Sequence, residues 1–233
     1  MREAARILRE AAIVGERLLV DGEPLTSEAL RSQVRELCAR AGALVGADMI
    51  VRAMTPGAAI GHDSGSGPLP AHTPIQIDLW PRDESSGCWS DMTRTFVRGE
   101  ISDAIGDLHA LVLDTHELVC AAVAAGAGGA ALHDLACDRF EAAGHPTLRS
   151  KVPGETLRSG FYFCLGHGVG LDVHEAPLLC IGSTDIVAAG DVIAVEPGLV
   201  VPGVGGAGVE DLLAVSAEGC ERLTGDLGYG LSP

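Results

Sequence analysis

Residues 75–97 read IQIDLWPRDESSGCWSDMTRTFV and decide the fold. Two runs rich in β-forming residues, Ile75–Trp80 and Cys88–Val97, flank the turn-forming segment PRDESSG, so the stretch predicts a long-looped β-hairpin. Each run carries an acidic residue, Asp78 or Asp91, where a strand should bury apolar side chains. A buried carboxylate without a partner is costly, so these two positions indicate a site rather than ordinary strand packing.

Two further acidic residues interrupt strand-like segments in the last third of the chain. Glu196 lies in VIAVEPG and Glu210 lies in GVEDLLAV. An arginine could neutralise one such carboxylate, but four in one domain need another source of positive charge, and Lys151 is the only lysine. Two divalent cations would balance the four negative charges. The pattern therefore motivates a dinuclear metal site.

The segment LGHGVGLDVHE adds an imidazole to this set of oxygen ligands. His167 lies between two glycines that allow close backbone approach, and His174 ends the next short strand-like run. Oxygen ligands with one imidazole suit Mn²⁺, Fe²⁺, Co²⁺ or Zn²⁺. At this point the alternative is a set of isolated polar residues, each satisfied by its own structural partner.

Together these motifs resemble the pita-bread metallopeptidases, which include methionine aminopeptidase, aminopeptidase P, prolidase and creatinase. The TRTF and DVHE forms are closest to the Xaa-Pro aminopeptidase and prolidase branch. The resemblance implies an α+β pita-bread fold, with a curved, mainly antiparallel sheet, helices on its outer face and internal pseudo-symmetry. It also implies that residues 1–233 form a single catalytic domain without the N-terminal creatinase-type domain of many relatives in this branch.

The resemblance implies a role for each residue of the motifs. Two divalent ions, Mn²⁺ first with Co²⁺, Fe²⁺ or Zn²⁺ as alternatives, would be held by Asp78, Asp91, His167, Glu196 and Glu210. Asp91 and Glu210 would bridge the ions, which would share a water or hydroxide able to attack an amide carbonyl. Glu196 would also act as general base.

Three more residues receive supporting roles from the resemblance. His174 would hydrogen-bond the substrate carbonyl or the oxyanion. His62, which precedes Asp78 by 16 residues in the loop 55–74, would contact the scissile peptide. Thr93 would support Asp91 from the same face of the strand.

The implied function is hydrolysis of a peptide bond near a free N-terminus, of the Xaa-Pro aminopeptidase or prolidase type. Two positions depart from the proline-specific pattern, because Phe163 replaces a histidine and Gly208 replaces an arginine that such members often carry. They leave open a hydrolase of the same fold that acts on a non-peptide amide or C–N bond of a small metabolite. A non-catalytic peptide-binding module is the third reading, although such modules usually lose metal ligands.

Composition limits the classes of binding partner and the cellular location that the sequence predicts. The net charge of −16 and an aromatic content of 3% argue against nucleic acid and anionic membrane surfaces, and favour a small peptide or amide substrate. The first ten residues contain no apolar signal core, and the longest uncharged run, 118–133, is too short to span a membrane. Seven scattered cysteines without a CxxC pair predict reduced thiols in a cytoplasmic protein. A homodimer is possible.

Hydrophobic periodicity and the positions of glycine, proline and capping residues predict the remaining helices and strands. Helices are expected over 2–20, from Thr26 to Ala43, from Ser102 or Asp103 to about 124, and over about 131–143, and strand-like segments over 161–165, 171–174, 192–196 and 208–215. Five other histidines are interpreted as loop, surface or packing residues: His72, His109, His116, His133 and His145. Arg94 is interpreted as a salt-bridge partner and Asp211 as a local hydrogen-bonding residue.

Overall fold

The structure, a computed structural model, describes residues 25–46, 48–57, 61, 63–225 and 228–232. The predicted helix over 2–20, the turn at 21–24 and His62 lie outside these residues. The helices it describes are α1 (Ser27–Arg40), α2 (Asp103–Ala122) and α3 (Gly129–Ala142). Within the described part of the chain, no helix combines the length and the apolar character needed to cross a membrane.

The described strands form antiparallel ladders. They are β1 (Ala43–Leu44), β2 (Ile50–Ala53), β3 (Pro74–Leu79), β4 (Arg82–Asp83), β5 (Met92–Val97), β6 (Gly166–Gly168), β7 (Glu175–Leu179), β8 (Val192–Val195), β9 (Gly198–Val201), β10 (Gly205–Gly208), β11 (Asp211–Val215) and β12 (Cys220–Arg222). One sheet has the order β2-β3-β5 and another the order β12-β11-β8-β6-β7, while β9 pairs with β10 and β1 with β4.

Local chemistry explains where the helices begin and end. The Thr26 hydroxyl accepts a hydrogen bond from Ala29 N at 3.2 Å, and the Ser102 hydroxyl caps α2 in the same way. Helix α1 ends at Arg40, three residues before the predicted end, because Gly42 takes a positive φ and β1 follows at once. The four-residue spacing of Leu30, Val34 and Cys38 turns one face of α1 toward the buried side of β2 and β3.

Several strand boundaries differ from the prediction. Residues 161–165 precede β6 rather than forming it, and 171–174 are a bend that leads into β7. The predicted strand over 208–215 is interrupted at Glu210, so that β11 begins at Asp211. The β9–β10 hairpin was not predicted, because glycine is depleted in strands. At Gly205 a Cβ atom would lie 2.4 Å from Met54 O, so the close packing there requires glycine.

Hydrogen bonds join β5 of the first sheet to the β9–β10 hairpin and to the residue just before β11. Gly208 N donates to Thr95 Oγ1 at 3.0 Å, and the same hydroxyl donates to Gly208 O at 2.9 Å. Glu210 N donates to Thr93 O at 3.0 Å. Helices α2 and α3 pack against the second half, around the buried rings of Phe140 and Phe161. In both halves a helix precedes an antiparallel sheet, an order that the predicted pseudo-symmetry requires; the symmetry itself stays a prediction.

The prediction that all cysteines are free thiols is wrong for one pair. Cys164 and Cys180 form a disulfide, and their α-carbons lie 4.6 Å apart, within the range that a disulfide spans. They flank the hairpin of β6 and β7, where Leu165 N donates to Leu179 O at 2.8 Å. The folded hairpin therefore brings together two residues that are 16 positions apart in sequence. The cytoplasmic location stays a prediction.

Thiol counting checks this disulfide. We expect five of the seven cysteines to react with iodoacetamide in denaturant without reductant, and all seven after reduction, because the other five are free. The Cys164→Ser variant should show six reactive thiols without reductant, because Cys180 loses its partner, and it should gain none on reduction. Seven reactive thiols in the unreduced wild-type protein would contradict the pairing.

Candidate metal centre

Asp78 and Asp91 lie on the same face of the first sheet. Asp78 on β3 is in register with Thr93 on β5, and Asp91 precedes Thr93 by two residues, so the strand pleat turns all three side chains one way. Asp78 is half-buried and Asp91 is buried. The alternate residues of β3 point into the core behind the sheet: Ile75, Ile77 and Leu79.

The opposite wall carries the other three predicted ligands. His167 lies in β6, Glu196 follows the last residue of β8, and Glu210 precedes the first residue of β11. Glu196 N donates to Leu165 O at 2.8 Å, which fixes the end of β8 beside β6. Adjacent strands thus present all three side chains at one edge of the sheet.

All five side chains line one cavity, and four of them lie close together. His167 Nε2 lies 3.8 Å from Asp91 Oδ2 and 3.5 Å from Glu196 Oε1. Ligand-type atoms of Asp91, His167 and Glu210 all lie within 4.8 Å of one another. His167 Nδ1 lies 3.0 Å from Gly168 O, and since a carbonyl oxygen only accepts, Nδ1 carries the proton. The Nε2 lone pair then faces the acidic residues, as a metal-binding imidazole requires.

The carboxylates repel one another in a buried place. Burial raises the pKa of Asp78 to about 7, an effect that the Thr93 hydroxyl and Arg52 partly oppose. Burial, and then the charge of Asp78, raise the pKa of Glu196 to about 8. Burial, followed by repulsion from neighbouring carboxylates, raises the pKa values of Asp91 and Glu210 well above their usual range.

Two orphaned oxygen atoms show that this cluster suits cations. Asp91 Oδ1 and Glu210 Oε1 are buried and have no hydrogen-bond partner in the described part of the structure. Glu210 Oε2 accepts from Thr93 Oγ1 at 2.9 Å, so Thr93 supports Glu210 rather than Asp91, which was its predicted partner. Four carboxylates and an imidazole form a donor set that hard and borderline divalent ions accept.

Two adjoining cavities open onto the cluster. The inner cavity, of about 250 Å³, is lined by all five predicted ligands together with Asp48, Trp80, Val173 and His174. The outer cavity, of about 620 Å³, shares Asp78, His167, His174 and Glu196 with it. His174 is exposed, and the centre of its ring lies 4.3 Å from that of His167. His174 therefore lies where the two cavities adjoin.

The outer cavity also contains residues that the sequence motifs did not single out. Gln76 and Tyr162 line it, as do Phe163 and Gly208, the two positions that depart from the proline-specific pattern. Gln76 could have been found from its position, because it precedes Asp78 by two residues and so shares its strand face. Tyr162 lies in an irregular segment, where no periodicity reports which way a side chain points.

The remaining polar predictions fall outside the cluster. Arg94 Nη2 donates to Asp211 Oδ1 at 2.8 Å, so these two residues form the predicted salt bridge and local hydrogen bond. Three predicted packing histidines are buried: His109, His116 and His133. Burial lowers the pKa of His116 to about 4.

The raised pKa values predict how the metal-free protein responds to pH. Asp78 and Glu196 hold their protons more tightly in the folded than in the unfolded chain. Between about pH 5 and pH 8 the folded state therefore binds more protons, and the free energy of unfolding falls as pH rises. We expect the urea midpoint of metal-free protein to drop over this interval, and added Mn²⁺ to reverse the drop at the upper end.

The Asp78→Asn variant separates this effect from the general repulsion of an acidic chain. It removes one titrating group and should flatten the dependence of the urea midpoint on pH. As a control, Asp114→Asn makes the same change at an exposed site and should leave the dependence as it is. A metal-free wild-type protein that gains stability from pH 5 to pH 8 would contradict the proposed electrostatics.

The geometry agrees with the comparison to known proteins. The family described as Metallopeptidase family M24 matches residues 1–217. The chain belongs to metallopeptidase family M24. An uncharacterised peptidase, YqhT, of Bacillus subtilis is 33% identical over 140 residues, which cover 59% of this chain and 36% of the relative. A Xaa-Pro dipeptidase of Pyrococcus furiosus is 31% identical over 137 residues, which cover 58% and 35%.

Solved structures establish the fold of this M24 chain. A prolidase of Pyrococcus horikoshii superposes with a TM-score of 0.84 at 23% identity, covering 99% of this chain and 62% of that one. A Xaa-Pro dipeptidase of Bacillus anthracis gives 0.83 at 25% identity, covering 99% and 61%. The predicted α+β pita-bread fold is confirmed. The chain spans about a third of the length of the curated relatives and three fifths of the solved ones.

Proposed function

We propose that this M24 chain is a dinuclear metal-dependent hydrolase that cleaves a peptide bond near a free N-terminus, with Xaa-Pro substrates preferred. The observation that carries the proposal is the convergence of four carboxylates and His167 around a cavity of about 250 Å³ that adjoins one of about 620 Å³. A cavity of this size holds a small ligand such as a short peptide. The names of the dipeptidase and prolidase relatives support the Xaa-Pro preference.

The proposed metal ligands are the five residues predicted from the sequence. Asp78, Asp91, His167, Glu196 and Glu210 would hold two divalent ions, with Mn²⁺ as the proposed metal and Co²⁺, Fe²⁺ or Zn²⁺ as alternatives. When bound, the ions would polarise the scissile carbonyl and make a shared water acidic near neutral pH. The donor set and the orphaned oxygens of Asp91 and Glu210 support this assignment.

Side chains around the ions would handle the proton and the developing charge. Glu196 is half-buried, lines both cavities and has a raised pKa, so it can take the proton of the attacking water and pass it to the departing amine. His174 lines the same two cavities and would donate a hydrogen bond to the substrate carbonyl oxygen as negative charge develops there. His62 keeps its predicted role as a contact to the scissile peptide.

The rest of the outer cavity fits an apolar side chain. About one half of its lining residues are hydrophobic or aromatic, among them Leu148, Tyr162, Phe163 and Leu178. The proposed metal ligands supply the polar end. An apolar side chain of the substrate would pack against these walls, so that the peptide group faces the carboxylates. We propose that residues 1–233 act as one catalytic domain; a homodimer and a cytoplasmic location also stay predictions.

A peptide panel tests the proposal. The Mn²⁺-incubated protein should release amino acid from Ala-Pro and Ala-Pro-Ala faster than from Ala-Ala, should spare N-acetyl-Ala-Pro, and should stop on chelation and recover when Mn²⁺ is restored. N-acetylation removes the free amine beside the bond that would be cleaved, so an enzyme that requires a free N-terminus should not act on this peptide. If all peptides stay intact while two metal ions are bound per chain, the peptidase proposal fails.

A second candidate follows from the two departures in the outer cavity. Phe163 and Gly208 line it in place of a histidine and an arginine that orient proline substrates in the resembled branch. They favour a hydrolase of the same fold acting on a non-peptide amide or C–N bond of a small metabolite. Amides such as N-acyl amino acids and creatine-like compounds therefore belong in the panel, and turnover of these alone would establish this candidate. A metal-free protein that binds peptide without hydrolysis would instead indicate a binding module.

A further inference from the structure

Arg52 is a buried cation for which the proposed chemistry has no role. It lies on β2, opposite Gln76 on β3 in the antiparallel register, and is 7% exposed. Its Nε and Nη2 atoms donate to Gln76 Oε1 at 3.2 and 3.0 Å. Gln76 and Asp78 are two residues apart on one strand, so Arg52 shares the sheet face of the metal cluster.

This guanidinium has a neutral partner where an anion is expected. Within the described ranges, its hydrogen bonds go to the Gln76 amide, and the charges of Asp63 and Asp78 act on it without forming an ion pair. Asp63 is exposed and Asp78 belongs to the proposed ligand set, so neither carboxylate holds the guanidinium in an ion pair. A buried arginine is costly unless a negative group pairs with it, so the site lacks an anion that a ligand can supply.

The outer cavity reaches the neighbours of Arg52 on the sheet. Ile50 and Gln76, which flank Arg52 along β2 and across to β3, both line the cavity. Tyr162 lines it as well and lies close enough to interact electrostatically with the guanidinium. On the facing strand, a Cβ atom at Gly208 would lie 3.7 Å from Gln76 Nε2, so glycine keeps the space beside the amide open.

We propose that Arg52, held in place by Gln76, pairs with a carboxylate of the substrate and so determines specificity. The inference rests on the proposed peptidase function. A carboxylate fits because the planar donor fork of arginine matches two carboxylate oxygens. Arg52 is a diagonal neighbour of Asp78 across β2 and β3, so their α-carbons lie about 7–8 Å apart. One residue of extended chain after the scissile carbonyl covers about 3.5 Å of this distance, and its carboxylate reaches further. The carboxylate within reach is therefore one carried by that next residue.

Substrate pairs that differ in one carboxylate test the inference. The ratio of kcat/KM for Ala-Pro over Ala-Pro-NH2 reports the terminal carboxylate, and that for Ala-Asp-NH2 over Ala-Asn-NH2 reports a side-chain carboxylate. In the wild-type protein with Mn²⁺, one of these ratios should be about ten to a hundred, as for other charge-assisted hydrogen bonds. Arg52→Gln should bring that ratio close to one. Arg52→Lys should lower it less, because lysine keeps the charge without the fork.

A matched control and a folding check accompany these variants. Arg40→Gln removes an arginine whose side chain is 72% exposed, and it should keep the wild-type ratio. The urea midpoint of each variant reports whether the buried substitution is tolerated; if Arg52→Gln does not fold, the ratio in Arg52→Lys decides. The same ratio in wild-type protein and in a folded Arg52 variant overturns the inference.

Binding to metal-free protein separates this inference from the proposed function. Calorimetry should show that metal-free wild-type protein binds Ala-Pro or Ala-Asp-NH2 more tightly than the matching uncharged peptide, and that the Arg52 variants lose this difference. If this pattern holds while no peptide is hydrolysed, the peptidase proposal fails and the carboxylate site stands. If peptides are hydrolysed but no binding difference depends on Arg52, the carboxylate site fails and the peptidase proposal stands.

Discussion

Replacing Glu196 by glutamine is expected to lower kcat/KM for the best peptide by about a thousandfold or more, since a positioned general base alone contributes about 10²–10⁴. The substitution keeps the shape of the side chain but removes its ability to hold a proton. It also removes a charge that lies 3.5 Å from His167 Nε2, so metal content should fall as well. Rates measured at several Mn²⁺ concentrations separate the two losses, because excess metal restores occupancy but not the base.

The control for this variant is Glu218→Gln. Glu218 is exposed in the turn between β11 and β12, where its carboxylate accepts a hydrogen bond from Ser216 Oγ. Its replacement makes the same chemical change far from the cavities and should leave kcat/KM within about twofold. A Glu196→Gln protein with more than a tenth of wild-type activity would show that another residue moves the proton.

Replacing Asp211 by asparagine is expected to destabilise the fold by about 3–5 kcal/mol, because it leaves Arg94 as an unpaired buried cation. Both side chains are nearly inaccessible, at 0% and 4% exposure. Asp211 also accepts hydrogen bonds from Thr224 Oγ1 at 2.7 Å and Tyr229 OH at 2.5 Å. Urea unfolding followed by circular dichroism measures the loss.

The same variant should weaken metal binding, because Arg94 supports the backbone of the site. Its Nη1 atom donates to Thr93 O at 2.9 Å and to Glu210 O at 2.6 Å, on either side of the sheet junction. In contrast, Asp114→Asn breaks an exposed pair with Arg139 and should cost about 1 kcal/mol or less. Equal losses of unfolding free energy in the two variants would contradict the expectation that the buried ion pair matters more than the exposed one.

A double variant shows whether the charge itself or the contacts matter. Arg94→Met combined with Asp211→Leu removes both charges and keeps the volume, so it should be more stable than Asp211→Asn alone. Metal binding should not recover with it, since methionine cannot donate to the carbonyls of Thr93 and Glu210. This result would separate fold stability from support of the site.

The carboxylate cluster was predictable because its residues violate local rules. An acidic residue inside an apolar strand, as at Asp78, or directly after one, as at Glu196, contradicts burial energetics unless a cation is present, and four such residues occur in one chain. The hairpin of β3 and β5 follows from its apolar alternation, and the caps at Thr26 and Ser102 follow from their side chains. These signals are all local, so they can be recognised in the sequence without knowledge of the tertiary contacts.

The features that were not predicted depend on contacts between distant segments. The β9–β10 hairpin exists because glycines let it pack against Met54, and a glycine-rich sequence gives no strand signal of its own. The disulfide needs the β6–β7 hairpin to bring Cys164 to Cys180. The sequence patterns did not single out Arg52, and only its register with Gln76 shows that it shares the face of the site.

Metal content per chain tests the central claim most directly. The protein is purified without chelator, incubated with Mn²⁺ or Co²⁺, desalted and measured by elemental analysis, beside Asp91→Ala and the exposed control Asp172→Ala. We expect about two divalent ions per wild-type chain and per Asp172→Ala chain, and a clear loss in Asp91→Ala, whose carboxylate lies at the centre of the cluster. A wild-type protein that stays empty after incubation with either metal would contradict the account.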